Sequence, residues 1–177
     1  MESETATLGA GVLAADLRSD LRVAPDELWR IVSTMDGVNA ELRPWMRMTV
    51  PREARDRSLA ELAESAELAE LAEPAVDQPL FSSWLLALGV LPIDRHNLGI
   101  RAVWTGGDGR WGFLERSTSW LQARWVHERV IEASARGATV RDRVWISPRI
   151  RIVTPLVAAI VRRLFAHRHG VLRGRFA

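Results

Sequence analysis

Cysteine, lysine and tyrosine are absent from this chain of 177 residues. Without cysteine there is no disulfide framework, thiol nucleophile or thiolate metal ligand; without lysine there is no Schiff base, and without tyrosine no phenolic acid. Any catalysis is left to His, Asp, Glu, Arg, Ser and Thr. The missing lysines also account for a pI of about 10.6 on a formal charge of only +2. All 24 basic residues are arginine, so almost nothing titrates between the α-amino group and guanidinium. The high pI is therefore no sign of a nucleic-acid partner. Long hydrophobic runs are lacking too: the longest, "LFSSWLLALGVLPI" at 80–93, is too short to span a bilayer and is broken by Gly89 and Pro92. Residues 1–7 are acidic and polar where a signal peptide carries positive charge. These features predict a cytoplasmic protein with one domain, residues 1–177.

Charge is unevenly placed. Residues 53–77 hold eight acids against Arg55 and Arg57, whereas residues 136–177 hold ten arginines against Asp142 alone. A basic end of this kind suits an anionic membrane surface, or the acidic segment of its own chain.

Patterning divides the chain into elements. Residues 12–23 alternate as a strand. Leu28, Ile31, Val32 and Met35 then fall at helical spacing behind Pro25, with Asp26 and Glu27 at the positive end of the dipole. Asp36-Gly37 is expected to end that helix, and a second short helix to cover 38–42. Residues 58–73 contain E-L-A-E three times and have high helix propensity up to Pro74, which predicts a Glu/Ala/Leu-rich helical insertion within about 52–78. Strand patterns follow: "LFSSWLLALGVL" as one strand or two joined at Gly89, a turn at Pro-Ile-Asp, then "NLGIRAVW" and "WGFLERSTS" about the loop "TGGDGR". "ARWVHERVIEA" and "ATVRDRVWI" form the next hairpin around Arg136-Gly137, and Pro148 ends the sheet. A closing helix starts at Thr154-Pro155, with Thr154 as N-cap and an apolar stripe of Val157, Ile160, Val161, Leu164 and Val171.

Three motifs carry less chemistry than their letters suggest. Gly107, Gly109 and Gly112 fit G-x-G-x-x-G, but strand patterns flank them where a phosphate loop must open a helix. No nucleotide or other cofactor is expected. "HERVI" begins like H-E-x-x-H, yet Ile131 stands where the second histidine belongs, and His167 and His169 point apart on a helix. No metal site is expected. Arg162, Arg163, Arg168, Arg173 and Arg175 lack the aromatic interleaving of a nucleic-acid surface and are expected on a solvated face, or on a helix lying against anionic membrane.

Strand, two short helices, antiparallel strands and a long closing helix make an α+β architecture in which a curved sheet grips one helix. "VAPDELWRIVSTMDGVNAELRPWM" resembles the opening of START-like (SRPBCC) proteins, the superfamily of pollen allergens and polyketide cyclases. "WVHERVIEASARGATVRDRVWISP" is similar to the paired late strands of its bacterial members, and "HRHGVLRGRF" to their endings. The resemblance implies a helix-grip fold around an internal cavity that takes an apolar or amphipathic small molecule. It implies no particular reaction, since the fold hosts carriers, sensors and enzymes.

Strand parity locates the candidate site. A short loop around Arg136-Gly137 sets Val140, Asp142, Val144 and Ile146 beside Trp125, His127, Arg129 and Ile131, with Arg129 opposite Val144. A turn near Leu121 adds Phe113, Glu115 and Ser117 to that face. Three readings follow. Glu115, His127, Arg129 and Asp142 form cross-strand ion pairs that never meet a ligand. Alternatively, His127 and Arg129 anchor a ligand whose apolar body lies on Trp45, Phe81, Trp84, Trp125 and Ile160. In the third, Glu115 and His127 act as an acid–base pair in a cyclase or aromatase. A module docking on a partner or membrane through the acidic helix or basic C-terminus is a further alternative.

Overall fold

Antiparallel strands surround one long helix in the computed structural model, which describes residues 11–72 and 79–177, without the side chains of 66–72. β1 (Val12–Leu21) leads to α1 (Pro25–Val32), α2 (Met35–Leu42), β2 (Met46–Met48) and α3 (Leu59–Ala72). Next come β3 (Phe81–Ala87), β4 (Leu91–Leu98), β5 (Ile100–Thr105), β6 (Arg110–Ser119), β7 (Gln122–Ser134) and β8 (Gly137–Pro148). α4 (Thr154–Phe176) closes the chain. The strands run β1-β8-β7-β6-β4-β3-β2 across the sheet, with β5 also paired to β6. The sheet curls into a half-barrel around α4, the expected helix-grip architecture.

Strand registers follow from the turns. Ser117 faces Trp125 and Glu115 faces His127, so the β6–β7 turn centres near Leu121 as parity requires. The β7–β8 loop is centred one residue earlier than expected, on Ala135-Arg136, because Ser134 already pairs with Gly137. The register therefore moves by two residues, and Arg129 faces Asp142, with Val144 opposite His127. β4 and β5 run one after the other along β6, parted only at Gly99. Pro-Ile-Asp lies inside β4 rather than in a turn. The reversal before it is at Leu88-Gly89, both with positive φ (51° and 78°), as a primed turn demands. Gly106 and Gly109 also have positive φ and serve the β5–β6 loop. Gly112 is required for closeness: at φ 146° a Cβ there would sit 2.0 Å from the Arg129 carbonyl oxygen of β7.

The helices differ from expectation at their ends. The break between α1 and α2 falls at Ser33-Thr34, and Asp36-Gly37 lies in the first turn of α2. Thr34 Oγ1 accepts from Gly37 N–H at 3.1 Å, a side-chain cap that outcompetes the helix-stopping tendency of Asp-Gly. Ser58 and Glu61 form a capping box before α3, with Ser58 N–H donating to Glu61 Oε2 at 2.7 Å and Glu61 N–H to Ser58 Oγ at 3.2 Å. Leu59 and Leu62 of this insertion are buried. Pro74, its expected stop, and residues 1–7 lie outside the described residues. On α4 the N-cap is Val153, and Thr154 Oγ1 instead donates to the Arg151 carbonyl at 2.7 Å.

Two apolar clusters fill the interior. One joins Leu21, Leu28, Val32, Met35, Ile131, Val140 and Leu172; the other joins Ala14, Ala15, Val144, Ile146, Ala158, Val161 and Phe165. Between them the sheet presents polar side chains to α4. No helix of the described residues is long and apolar enough to cross a membrane.

Candidate functional site

Period-two alternation on β6, β7 and β8 aims Glu115, His127, Arg129 and Asp142 at the helix, and α4 answers with Arg168 and His169. Arg129 is fully buried between two carboxylates. Its Nε and Nη2 donate to Asp142 at 2.8 Å each, and its Nη1 and Nη2 donate to Glu41 of α2 at 2.7 and 2.8 Å. Arg168 Nε donates to Glu41 Oε2 at 2.9 Å. His169 meets Asp142 Oδ2 through Nε2 at 3.1 Å and Ser19 Oγ through Nδ1 at 2.8 Å. Because a carboxylate only accepts, His169 carries its proton on Nε2 and accepts the Ser19 hydroxyl.

His127 sits between two further carboxylates, with Nε2 2.8 Å from Asp142 Oδ1 and Nδ1 3.5 Å from Glu115 Oε2. Arg129 and Arg168 face Glu41 and Asp142 within the same buried cluster. Phe113 and Phe165 pack edge-on against the His127 ring, with centroids at 5.0 and 4.9 Å, and hold it in place. Glu115 Oε1 is occupied by His96 Nε2 at 2.7 Å and by the Ser117 hydroxyl at 2.6 Å.

These contacts set the protonation of the carboxylates. Burial alone raises the pKa of Asp142, but the charge and hydrogen bonds of Arg129, with hydrogen bonds from His127 and His169, hold it well below the ordinary value. Glu41 is likewise lowered against burial by Arg129 and Arg168, and Glu115 by His127 and His96. The same carboxylates raise Arg129 against the opposing effect of burial.

A cavity of about 260 Å³ lies between the sheet, α2 and α4. Its lining is mostly apolar, including Leu98, Ile100, Phe113, Val161, Leu164 and Phe165, and Leu59 of the inserted helix reaches it. Ile93, Leu121 and Ile160 line it while remaining 42%, 53% and 52% exposed, so the cavity reaches solvent at that edge. Its polar side is Asp94, His96, Glu115, Gln122, His127 and Arg168.

Of the residues singled out by sequence, Glu115, Trp125, His127 and Ile160 line this cavity. Arg129 and Asp142 lie behind its wall, 0% exposed and saturated by each other and by Glu41, so they are placed to hold the site together and not to touch its contents. Phe81 packs against the first apolar cluster, outside the lining. Trp84 points outward, because Leu85 is the inward residue there, and meets Trp120 edge-on at 4.9 Å. Trp45 is 58% exposed, beside His167. Arg168, expected on a solvated face, is buried. The reason is visible in helical spacing: Ala158, Val161, Phe165, Arg168 and Leu172 share one stripe. Asp94, His96 and Gln122 gave no signal beyond strand alternation, and Glu41 on its helix gave none. Among the described residues no group of three or more His, Asp or Glu side chains is arranged to hold a metal ion.

Comparison with curated proteins yields no match. Solved structures do resemble the chain. Protein CV1439 from Chromobacterium violaceum superposes with a TM-score of 0.59 at 10% identity, covering 90% of this chain and 94% of that one. Ms6760 from Mycobacterium smegmatis gives 0.55 at 9% identity over 92% and 89%. Ara h 8.0201 gives 0.51 at 11% identity over 89% and 95%. At such identities the likeness concerns the fold alone. The chain belongs to the family described as Domain of unknown function (DUF8410), whose model matches residues 19–176, and it shares its helix-grip fold with these solved structures.

Proposed function

We propose that the protein binds, or carries, a small and largely apolar molecule in the cavity between its sheet and α4. The observation that supports this most is the apolar lining of a hollow of about 260 Å³ that opens at Ile93, Leu121 and Ile160. Ligand sites usually measure roughly 300–1,000 Å³. A volume just under that range favours a compact ligand, such as a short acyl chain or a small ring system, over a large polycyclic one.

The cyclase-type reading rests on Glu115 and His127, which do line the cavity. It has weaker support, because both His127 nitrogens already face carboxylates and both Glu115 oxygens already face protein groups.

Intrinsic fluorescence tests the binding reading, because Trp125 lines the cavity. Titration with short fatty acids, sterols and small aromatic polyketides is expected to give a saturable change with at least one class, largely lost in Trp125→Phe. A flat response to the whole panel would remove the reading.

A further inference from the structure

Among the described residues, each arginine and histidine lining the cavity already faces a carboxylate. Arg168 is bound to Glu41, His127 to Asp142 and Glu115, and His96 to Glu115. Two acceptors on the same wall have no comparable match. Asp94 of β4 is 5% exposed, and its Oδ1 accepts from the backbone N–H groups of Arg95 at 2.9 Å and Leu121 at 3.2 Å. Among the described residues no arginine or histidine forms an ion pair with it. Gln122, at the start of β7, is 7% exposed, and its Oε1 is buried without a hydrogen-bond partner among the described residues.

Both lie by the β6–β7 turn. Leu121 N–H, one residue before Gln122, is shared between Asp94 Oδ1 and Ser119 Oγ, each at 3.2 Å. A buried carboxylate without a counter-charge and a buried amide oxygen without a donor are both unfavourable, and native proteins keep few of either. Their placement on one cavity wall gives both the same remedy: a ligand that brings a positive charge and N–H donors.

Resting on the binding reading above, we infer that the ligand is an amphipathic amine, its ammonium group held by Asp94 and Gln122 Oε1. Its apolar body runs along Leu98, Ile100, Val161 and Leu164. An ammonium supplies three donors and no acceptor, which fits two waiting acceptors. An anionic head would lie beside Asp94 and Glu115 while Arg168, His96 and His127 of the lining already face carboxylates.

Three probes of one chain length test this: n-octylamine, 1-octanol and octanoate, titrated calorimetrically into the full chain at neutral pH. Octylamine is expected to bind most tightly, about tenfold or more ahead of octanol, with octanoate weakest. Asp94→Asn, which retains an acceptor for the two backbone N–H groups, is expected to remove the advantage of the amine over octanol. Gln122→Met is expected to weaken the amine in the same sense, and serves if Asp94→Asn does not fold. Octanoate binding as well as the amine, or an amine advantage that survives both substitutions, would overturn the inference. If octanol binds and the amine gains nothing over it, the cavity reading stands and this inference alone falls. If none of the three binds, both fall together.

Discussion

Arg129→Met is expected to lose about 3–5 kcal/mol of folding stability at neutral pH, the usual consequence of removing one member of a buried ion pair. Methionine keeps most of the aliphatic length, so the loss reports charge more than packing. After the change Asp142 retains only His127 and His169, and Glu41 retains only Arg168. Two buried carboxylates are left under-compensated in a place no water reaches, since Arg129 and Asp142 are both 0% exposed. The cost comes from the orphaned carboxylates, and the intact cluster need not stabilise the fold more than a well-packed apolar core would. Urea unfolding of the variant and the parent measures it directly; a loss below about 1 kcal/mol would mean that the cluster behaves as a surface ion pair does.

Acid is expected to remove the same stabilisation from the parent. Burial pushes Asp142 and Glu41 up, but Arg129, with Arg168 at Glu41 and the histidines at Asp142, holds both below their ordinary values. Glu115 is held down by His127 and His96. A carboxyl group with a depressed folded pKa contributes its stability in full above its unfolded value, near about 4, and loses it as pH falls through the folded one. Melting temperature should therefore drop steeply below about pH 4. In Arg129→Met the guanidinium no longer opposes desolvation at Asp142 and Glu41, so protonating them costs the variant less than the parent. The stability gap between parent and variant is expected to narrow from neutral pH to about pH 3. A gap that stays constant over that range would show that the cost is one of packing.

The face carrying this cluster was legible in the sequence because strand parity is strict: Glu115, His127, Arg129 and Asp142 had to share a side once β6, β7 and β8 were recognised. The β6–β7 register was legible too, since its turn near Leu121 has a clear centre. The β7–β8 register was not, because the turn is centred on Ala135-Arg136 and not on Arg136-Gly137, and the two residues of slip that result keep the same face. Glu41 was invisible, as nothing local marks a glutamate on an eight-residue helix as buried. Arg168 was misplaced for the opposite reason. It falls on the buried stripe of α4 by spacing, but an arginine in an arginine-rich helix reads as solvated until its acceptor is known, and that acceptor is 127 residues away in sequence. Trp45 and Trp84 show the limit of composition: large aromatics are common at cavity walls, yet these two are substantially exposed.

Native mass spectrometry of the full chain, isolated from the cells that make it, bears most directly on whether the hollow is used. The expected spectrum contains, beside the bare 19.8 kDa protein, a heavier ion that releases one small molecule on gentle activation. Leu164→Trp, which places a bulky ring in the lining, should abolish that ion while the protein stays folded. A spectrum of bare protein alone, unchanged after incubation with an excess of apolar and amphipathic compounds, would contradict the account.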